Sequence, residues 1–283
     1  MKILKHTTCE EFLVYNESLL LKNESLNNLI LGLAYMIKNK KMETTEPLYY
    51  SIVKNEIVIG CALRSNVDKP LVITAMAELA LDLLIDDLNQ NQVKLASVVG
   101  EELSSTYFKN KWTKIKNLNF KINMHLGVYE CLKVIMPKSI SGELILATEC
   151  DKKLIIDYVT GFSRDCFPNN PSSAERIESS TNLHLKNRSL FLLKSNKDEI
   201  LSMAANSRST PNSGTISLVY TPPNLRGKGY GSQVVALLTD KIIRDGKKFT
   251  NLFADLTNPT SNSIYQKIGY TKIGQSIHFD FFG

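Results

Sequence analysis

Residues 218–238 read LVYTPPNLRGKGYGSQVVALL. An apolar run of β character ends at Tyr220, and Pro222 and Pro223 follow, neither able to donate to a sheet ladder. Arg226 then precedes glycines at 227, 229 and 231, and an apolar pattern of helical period begins at Tyr230. Glycines at alternate positions after a strand let consecutive amide N–H groups converge on one point, since no Cβ blocks the approach. The helix that follows adds its unpaired first-turn amides and the positive end of its dipole. The stretch therefore reads as an anion seat suited to a phosphate or pyrophosphate, with Arg226 and Lys228 at its rim. A plain strand-to-helix turn with surplus glycine is the competing reading.

Two phosphate loops are excluded by spacing. A Walker loop needs Ser or Thr after Gly-Lys, where Gly229 stands; the dinucleotide pattern needs glycine at 232, where Ser232 stands. What remains is Arg226-x-x-Gly229-x-Gly231.

Working outward, the second half alternates strand and helix patterns. GELILA (142–147) reads as a strand, 151–167 as an amphipathic helix and 172–186 as another helical segment. Residues 189–208 form a hairpin pattern turning at SNKD, and GTISLVYT (214–221) is a strand. A helix from Tyr230 to about Arg244 is stopped by Gly246, followed by the strand FTNLFADL (249–256). A short helix starts with Pro259 in its first turn and ends at Gly269, and SIHFDFF (276–282) closes as a strand.

The first half repeats the series in weaker form. It offers a hairpin at 49–63, the strand PLVITAM, the helix AELALDLLIDDL, the strand VKLASVVG and the short helix SSTYFKNKW. This predicts an internal duplication, with a boundary near Lys138 and domains at 1–138 and 139–283. The interval corresponding to Leu218–Ala254 is about a dozen residues shorter in the first copy, and the glycine loop is the missing part. The anion seat is therefore expected once, in the second half.

Composition bounds the rest. The chain has 283 residues, 43% hydrophobic and 22% charged, with a net charge of +6 spread over scattered lysines. That balance is globular, and no basic–aromatic interleaving points to nucleic acid. No run approaches the ~18 apolar residues of a membrane span, and Glu10 and Glu11 interrupt any signal-peptide pattern. Cys9, Cys61, Cys131, Cys150 and Cys166 are odd in number and contain no CxxC pair, so neither a disulfide framework nor a metal site is expected. The expectation is a cytoplasmic protein with buried or bystander thiols.

The loop Arg226-x-x-Gly229-x-Gly231, followed by NPTSNSIYQKIGY (258–270), resembles the GNAT superfamily of acetyl-CoA-dependent N-acetyltransferases over residues 140–283. The second stretch resembles that family's N-x-x-A-x-x-x-Y-x-K-x-G-F/Y segment, with Ser261 where alanine is common. The resemblance implies an α/β fold of the α+β kind: tandem GNAT-like domains, each a mixed, mostly antiparallel sheet flanked by helices, the first degenerate. It implies acetyl-CoA as cosubstrate and a small-molecule or peptide amine as acceptor. In the family, pantetheine pairs with the fourth strand like an added strand. By position, Val219 offers its amide to the acetyl carbonyl, Thr221 pairs with pantetheine, and the amides of Arg226, Gly227, Lys228, Gly229, Tyr230, Gly231 and Ser232 hold the pyrophosphate.

Asn258 falls where an asparagine contacts pantetheine, though it also suits a helix cap, and Asn262 could do similar work one turn later. Tyr265 matches the tyrosine that protonates the departing thiolate; a packed core aromatic is the alternative. The glutamate that many relatives carry on the fourth strand is missing from GTISLVYT, and Asp255 is the nearest candidate base by topology. His184 and His278 read as structural. A non-catalytic acyl-CoA sensor and an acyltransferase with another donor or acceptor stay open, as do the acceptor's identity and the oligomeric state.

Overall fold

The computed structural model describes residues 1–168 and 171–283. Its first ten elements are β1 (Lys2–Lys5), α1 (Cys9–Lys22), α2 (Asn28–Lys38), β2 (Leu48–Lys54), β3 (Ile57–Arg64), β4 (Leu71–Ile73), α3 (Glu78–Gln90), β5 (Ser97–Glu101), α4 (Glu102–Lys116) and β6 (Asn119–Cys131). The same order then recurs as β7 (Gly142–Leu146), α5 (Lys152–Cys166), α6 (Ala174–Lys186), β8 (Leu190–Ser195), β9 (Ile200–Ser209), β10 (Ser213–Tyr220), α7 (Tyr230–Arg244), β11 (Phe249–Asp255), α8 (Pro259–Lys267) and β12 (Thr271–Phe282). The duplication expected from the sequence is present element for element.

The chain forms two compact units, and they differ from a single division at residue 138. One contains Met1–Val128, Ala254–Thr257 and Ile273–Gly283; the other contains Tyr129–Phe253 and Asn258–Lys272. The strand expected to close the second half thus lies in the first unit. There β12 pairs antiparallel with β5, from Ser276 opposite Glu101 to Asp280 opposite Ser97. Its alternating pattern supplies the reason: Ile277 and Phe279 point into the first unit's core, with Leu81, Leu84, Val98, Phe108 and Trp112.

In the first unit the sheet order is β1-β2-β3-β4-β5-β12-β6, and from β1 to β12 the pairs are antiparallel except for β4–β5. Phe108 and Trp112 of α4 and the apolar face of α3 line one core, and Phe12, Leu20, Ile30 and Leu31 of α1 and α2 line another. Where the second half has its glycine loop, residues 74–77 run straight into α3 with no glycine and no positive φ. The Met76 amide donates to Ser104 Oγ at 3.1 Å, tying this connection to the first turn of α4.

The second unit orders its strands β7-β8-β9-β10-β11, antiparallel except for the parallel β10–β11 pair. Ile155, Tyr158 and Val159 of α5 and Ile177 and Leu185 of α6 cover one face. On α7, Val234, Val235, Leu238 and Ile242 recur at three- and four-residue spacing and are all buried. None of the five cysteines forms a disulfide, and no cluster of metal-ligating side chains occurs among the described residues. No helix of the described residues is long and apolar enough to cross a membrane.

Candidate active site

The parallel ladder between β10 and β11 runs only from Ser213–Phe249 to Ile216–Leu252, although β10 continues to Tyr220. Just past that point Leu218 adopts a left-handed φ of 49°, and the register with β9 slips between Ser217 and Tyr220. A bulge of this kind turns the strand's backbone out of the ladder. Val219 lies inside it, and Thr221 follows at its end. Ser202, fully buried on β9, fixes this end by donating to the Tyr220 carbonyl at 2.8 Å and bonding Thr221 Oγ1 at 2.9 Å.

Beyond the prolines a single 3-10 turn (Pro223–Leu225) leads to the glycines. Gly227 and Gly229 have φ of +78° and +80°, a conformation costly for any residue with a Cβ. The Arg226 amide donates to the Pro223 carbonyl at 3.3 Å, so the seat begins one residue later than the sequence suggests. Gln233 is the first α7 amide to find a partner, the Gly229 carbonyl at 3.1 Å. Among the described residues nothing accepts from the amides between Gly227 and Ser232, and these are the donors a helix start offers to an anion.

Arg226 does not leave its charge loose at the rim. Its Nε donates to the Thr221 carbonyl at 3.0 Å, its terminal nitrogen pairs with Asp165 at the end of α5, and its guanidinium lies 5.6 Å from the Tyr220 ring centre. The arginine therefore clamps the loop closed on the strand. Lys228 is exposed and is the remaining cation of the loop. Behind the helix start, Gln233 is buried and accepts from the Ser141 amide at 2.7 Å.

On α8, Asn258 caps the helix: its Oδ1 accepts from the Ser261 amide at 3.1 Å. Asn262 sits one turn on, half-buried, its amide bonded to the Asn258 carbonyl at 3.2 Å. Tyr265 follows on the same helix, half-buried, with its ring 6.3 Å from Tyr129 and 6.2 Å from Tyr270. Burial pushes its phenol up to about 12, and the neighbouring Cys166 thiol adds to the effect. The hydroxyl is thus protonated throughout the neutral range and can only donate a proton there.

Asp255 is exposed, and one of its oxygens accepts from both the amide and the hydroxyl of Thr257, at 2.8 and 2.7 Å. This shapes the turn after β11. His184 bonds Ser189 Oγ at 2.8 Å, and His278 lies 3.3 Å from Asp280. Burial lowers both imidazoles below their ordinary range.

The sequence brought Val219, Thr221, the glycine loop, Asn258, Asn262 and Tyr265 forward, and all lie in the second unit. Missed were Asp165, Ser202 and Tyr129, whose partners are remote in sequence and carry no local motif.

Comparison with known proteins bears on the fold. Residues 196–279 match the family model described as FR47-like protein. An acetyltransferase from the GNAT family of Colwellia psychrerythraea aligns over 100% of both chains, with a TM-score of 0.59 and 11% identity. The fold is that of the GNAT acetyltransferases. A tandem GNAT protein from the clavulanic acid biosynthesis pathway matches 98% of this chain and 97% of its own, with a TM-score of 0.56 and 9% identity. A Drosophila protein reaches a TM-score of 0.68 at 10% identity, over 99% of this chain and 98% of that one. No curated protein matches the sequence itself. Within the GNAT fold, the diverging β10 and β11, the loop and α8 occupy consecutive positions, while the first unit repeats the element order without the loop.

Proposed function

We propose that the chain transfers an acetyl group from acetyl-CoA to a primary amine, using the second unit. One observation carries this reading: β10 leaves its parallel partner at a left-handed bulge, shortly before a run of unclaimed amides at a helix start. The residues present fit acetyl-CoA. The Gly227–Ser232 amides match a pyrophosphate, and the bulged backbone at Val219 and Thr221 matches an extended pantetheine amide chain. Asn258 and Asn262 would flank that chain from α8. When bound, acetyl-CoA supplies the activated acyl carbon.

The protein's own groups then divide the work. The Val219 amide polarises the thioester carbonyl as preorganised backbone while the neutral amine attacks it. As the C–S bond breaks, the Tyr265 hydroxyl gives its proton to the departing sulfur, the nitrogen loses its extra proton to water, and Tyr265 regains a proton from water. Asp255 spends an oxygen on Thr257, and we assign it to the turn rather than to deprotonation of the amine. β10 carries no acid among Ser213–Tyr220, which favours a second reading, an acyl-CoA sensor without turnover.

The test is calorimetric titration of acetyl-CoA into the protein and into Gly229→Glu, followed by thiol-release assays over polyamines, amino sugars, amino acids and peptide N-termini. Binding that the substitution abolishes in a folded variant, with acetylation of one amine class, supports the transferase. Binding without turnover on any amine supports the sensor. Equal binding by both proteins, or none by either, sinks both readings.

A further inference from the structure

Tyr265 packs against two aromatic rings, and one of them comes from the first half of the sequence. Tyr129, on β6, is 2% exposed and belongs to the second unit. Its ring centre lies 6.3 Å from that of Tyr265 at 54°, and the ring centre of Tyr270 lies 6.2 Å from that of Tyr265 at 63°. Both arrangements fall within the range of favourable aromatic contacts. Tyr270 is an anchor: it is buried, and its hydroxyl bonds Thr239 Oγ1 of α7 at 2.7 Å and Thr250 Oγ1 of β11 at 2.8 Å. The chain after Tyr129 stays alongside, since the Ile135 amide donates to the Ile268 carbonyl at 2.9 Å.

We infer that Tyr129 is a positioning residue for Tyr265: its ring and that of Tyr270 fix the side chain of the proton donor, so that residues before 139 complete the acyl-transfer site. This rests on the proposed function, because Tyr265 is a proton donor only there. The physical reason is local. Tyr265 sits on a nine-residue helix, and among the described residues nothing hydrogen-bonds its hydroxyl. Ring packing is therefore what sets its χ1 and χ2, and a proton donor must be held to within a fraction of an ångström of its target. Without Tyr129, Tyr270 is the one ring of this pair still packed on Tyr265. With Tyr129 cut back, a cavity opens against the Tyr265 ring, and the burial that raises its phenol above the ordinary value is reduced.

The test is a double-mutant cycle on the full chain: Tyr129→Ala, Tyr129→Phe, Tyr265→Phe and Tyr129→Ala/Tyr265→Phe, with kcat and the acetyl-CoA KM measured for each. If the inference holds, Tyr129→Ala lowers kcat by about tenfold or more, within the ~10²–10⁴ that a general acid contributes. The KM for acetyl-CoA stays within about twofold and Tyr129→Phe restores kcat, because the ring and not the hydroxyl does the positioning. On the Tyr265→Phe background, Tyr129→Ala has no further effect on kcat, since the proton donor is already gone. An equal loss on both backgrounds, or failure of the phenylalanine to rescue, overturns the inference.

A second readout needs no turnover. Tetranitromethane attacks exposed, ionised phenols, and peptide mass mapping reports nitration at Tyr265. Tyr265 should be protected in the wild type and in Tyr129→Phe, and nitrated about tenfold faster in Tyr129→Ala for each unit of pKa recovered. Unchanged nitration there overturns the packing argument by itself. Absence of acetyl-CoA binding in the wild type, with nitration behaving as described, refutes the transferase reading and leaves the Tyr129–Tyr265 contact standing.

Discussion

The glycines of the loop are not equivalent, and the difference predicts separate outcomes for the same substitution. At Gly229 the φ of +80° makes any Cβ unfavourable by about 1–2 kcal/mol, even though no atom stands closer than Gln233 Nε2 at 3.9 Å. Gly231 has no such φ, and a Cβ there would meet Thr221 Oγ1 at an ordinary 3.6 Å. Gly231→Ala should therefore leave the melting temperature unchanged or raise it, because alanine is the better helix residue by up to ~1 kcal/mol. Gly229→Ala should lower it and weaken acetyl-CoA binding as the amides turn away. Calorimetry and thermal melts of the pair check this, and equal behaviour would refute the anion-seat geometry. Tyr265 gives a prediction in pH. With its phenol raised to about 12, the donating form is present below that value and is lost only as pH rises through it. A kcat–pH profile should accordingly show no alkaline limb below pH ~10 that disappears in Tyr265→Phe. Such a limb would mean that the phenol titrates in the working range and is not the buried acid described here.

At the scale of elements, the loop is held to β10 by contacts whose partners are far apart in sequence. Arg226 joins the Thr221 carbonyl to Asp165 on α5, and Ser202 on β9 joins Tyr220 to Thr221. The Arg226–Asp165 pair is partly exposed, so Asp165→Asn alone should weaken acetyl-CoA binding by about fivefold at most. Arg226→Ala also removes the bond to a backbone carbonyl and the contact with Tyr220, and should weaken binding several times more. Calorimetry of both variants decides; a larger loss for Asp165→Asn would show that charge, and not clamping, is what the pair supplies. The loop itself was legible in the sequence, because glycine spacing and paired prolines act through local backbone chemistry. Its clamp was not. Asp165 and Ser202 are ordinary helix and strand residues until the fold brings them to the loop. The same holds for the Arg226 amide, which the motif offers to the anion but which the turn at Pro223 already uses.

At the scale of the molecule, the destination of β12 is what the sequence left hidden. SIHFDFF reads as a strand from its alternation, and alternation gives a strand two faces without naming its neighbour. The structure places it against β5, where Ile277 is 5% and Phe279 3% exposed within the first unit's core. The last residues of the chain are therefore expected to stabilise the first unit. Phe279 is large and its neighbours Phe120 and Trp112 belong to separate elements, so Phe279→Ala should open a cavity costing about 3–5 kcal/mol. Hydrogen exchange can locate that loss. Amides of Val98, Val99 and Gly100 on β5 should lose protection in Phe279→Ala, while those of β8 and β9, in the other unit, keep theirs. Because the proposed acetyl-CoA seat lies in that other unit, acetyl-CoA affinity should remain within about twofold of the wild type while the first unit is still mostly folded. Loss of protection on β8 and β9 ahead of β5 would show that β12 supports the second unit after all, as its position in the sequence suggests.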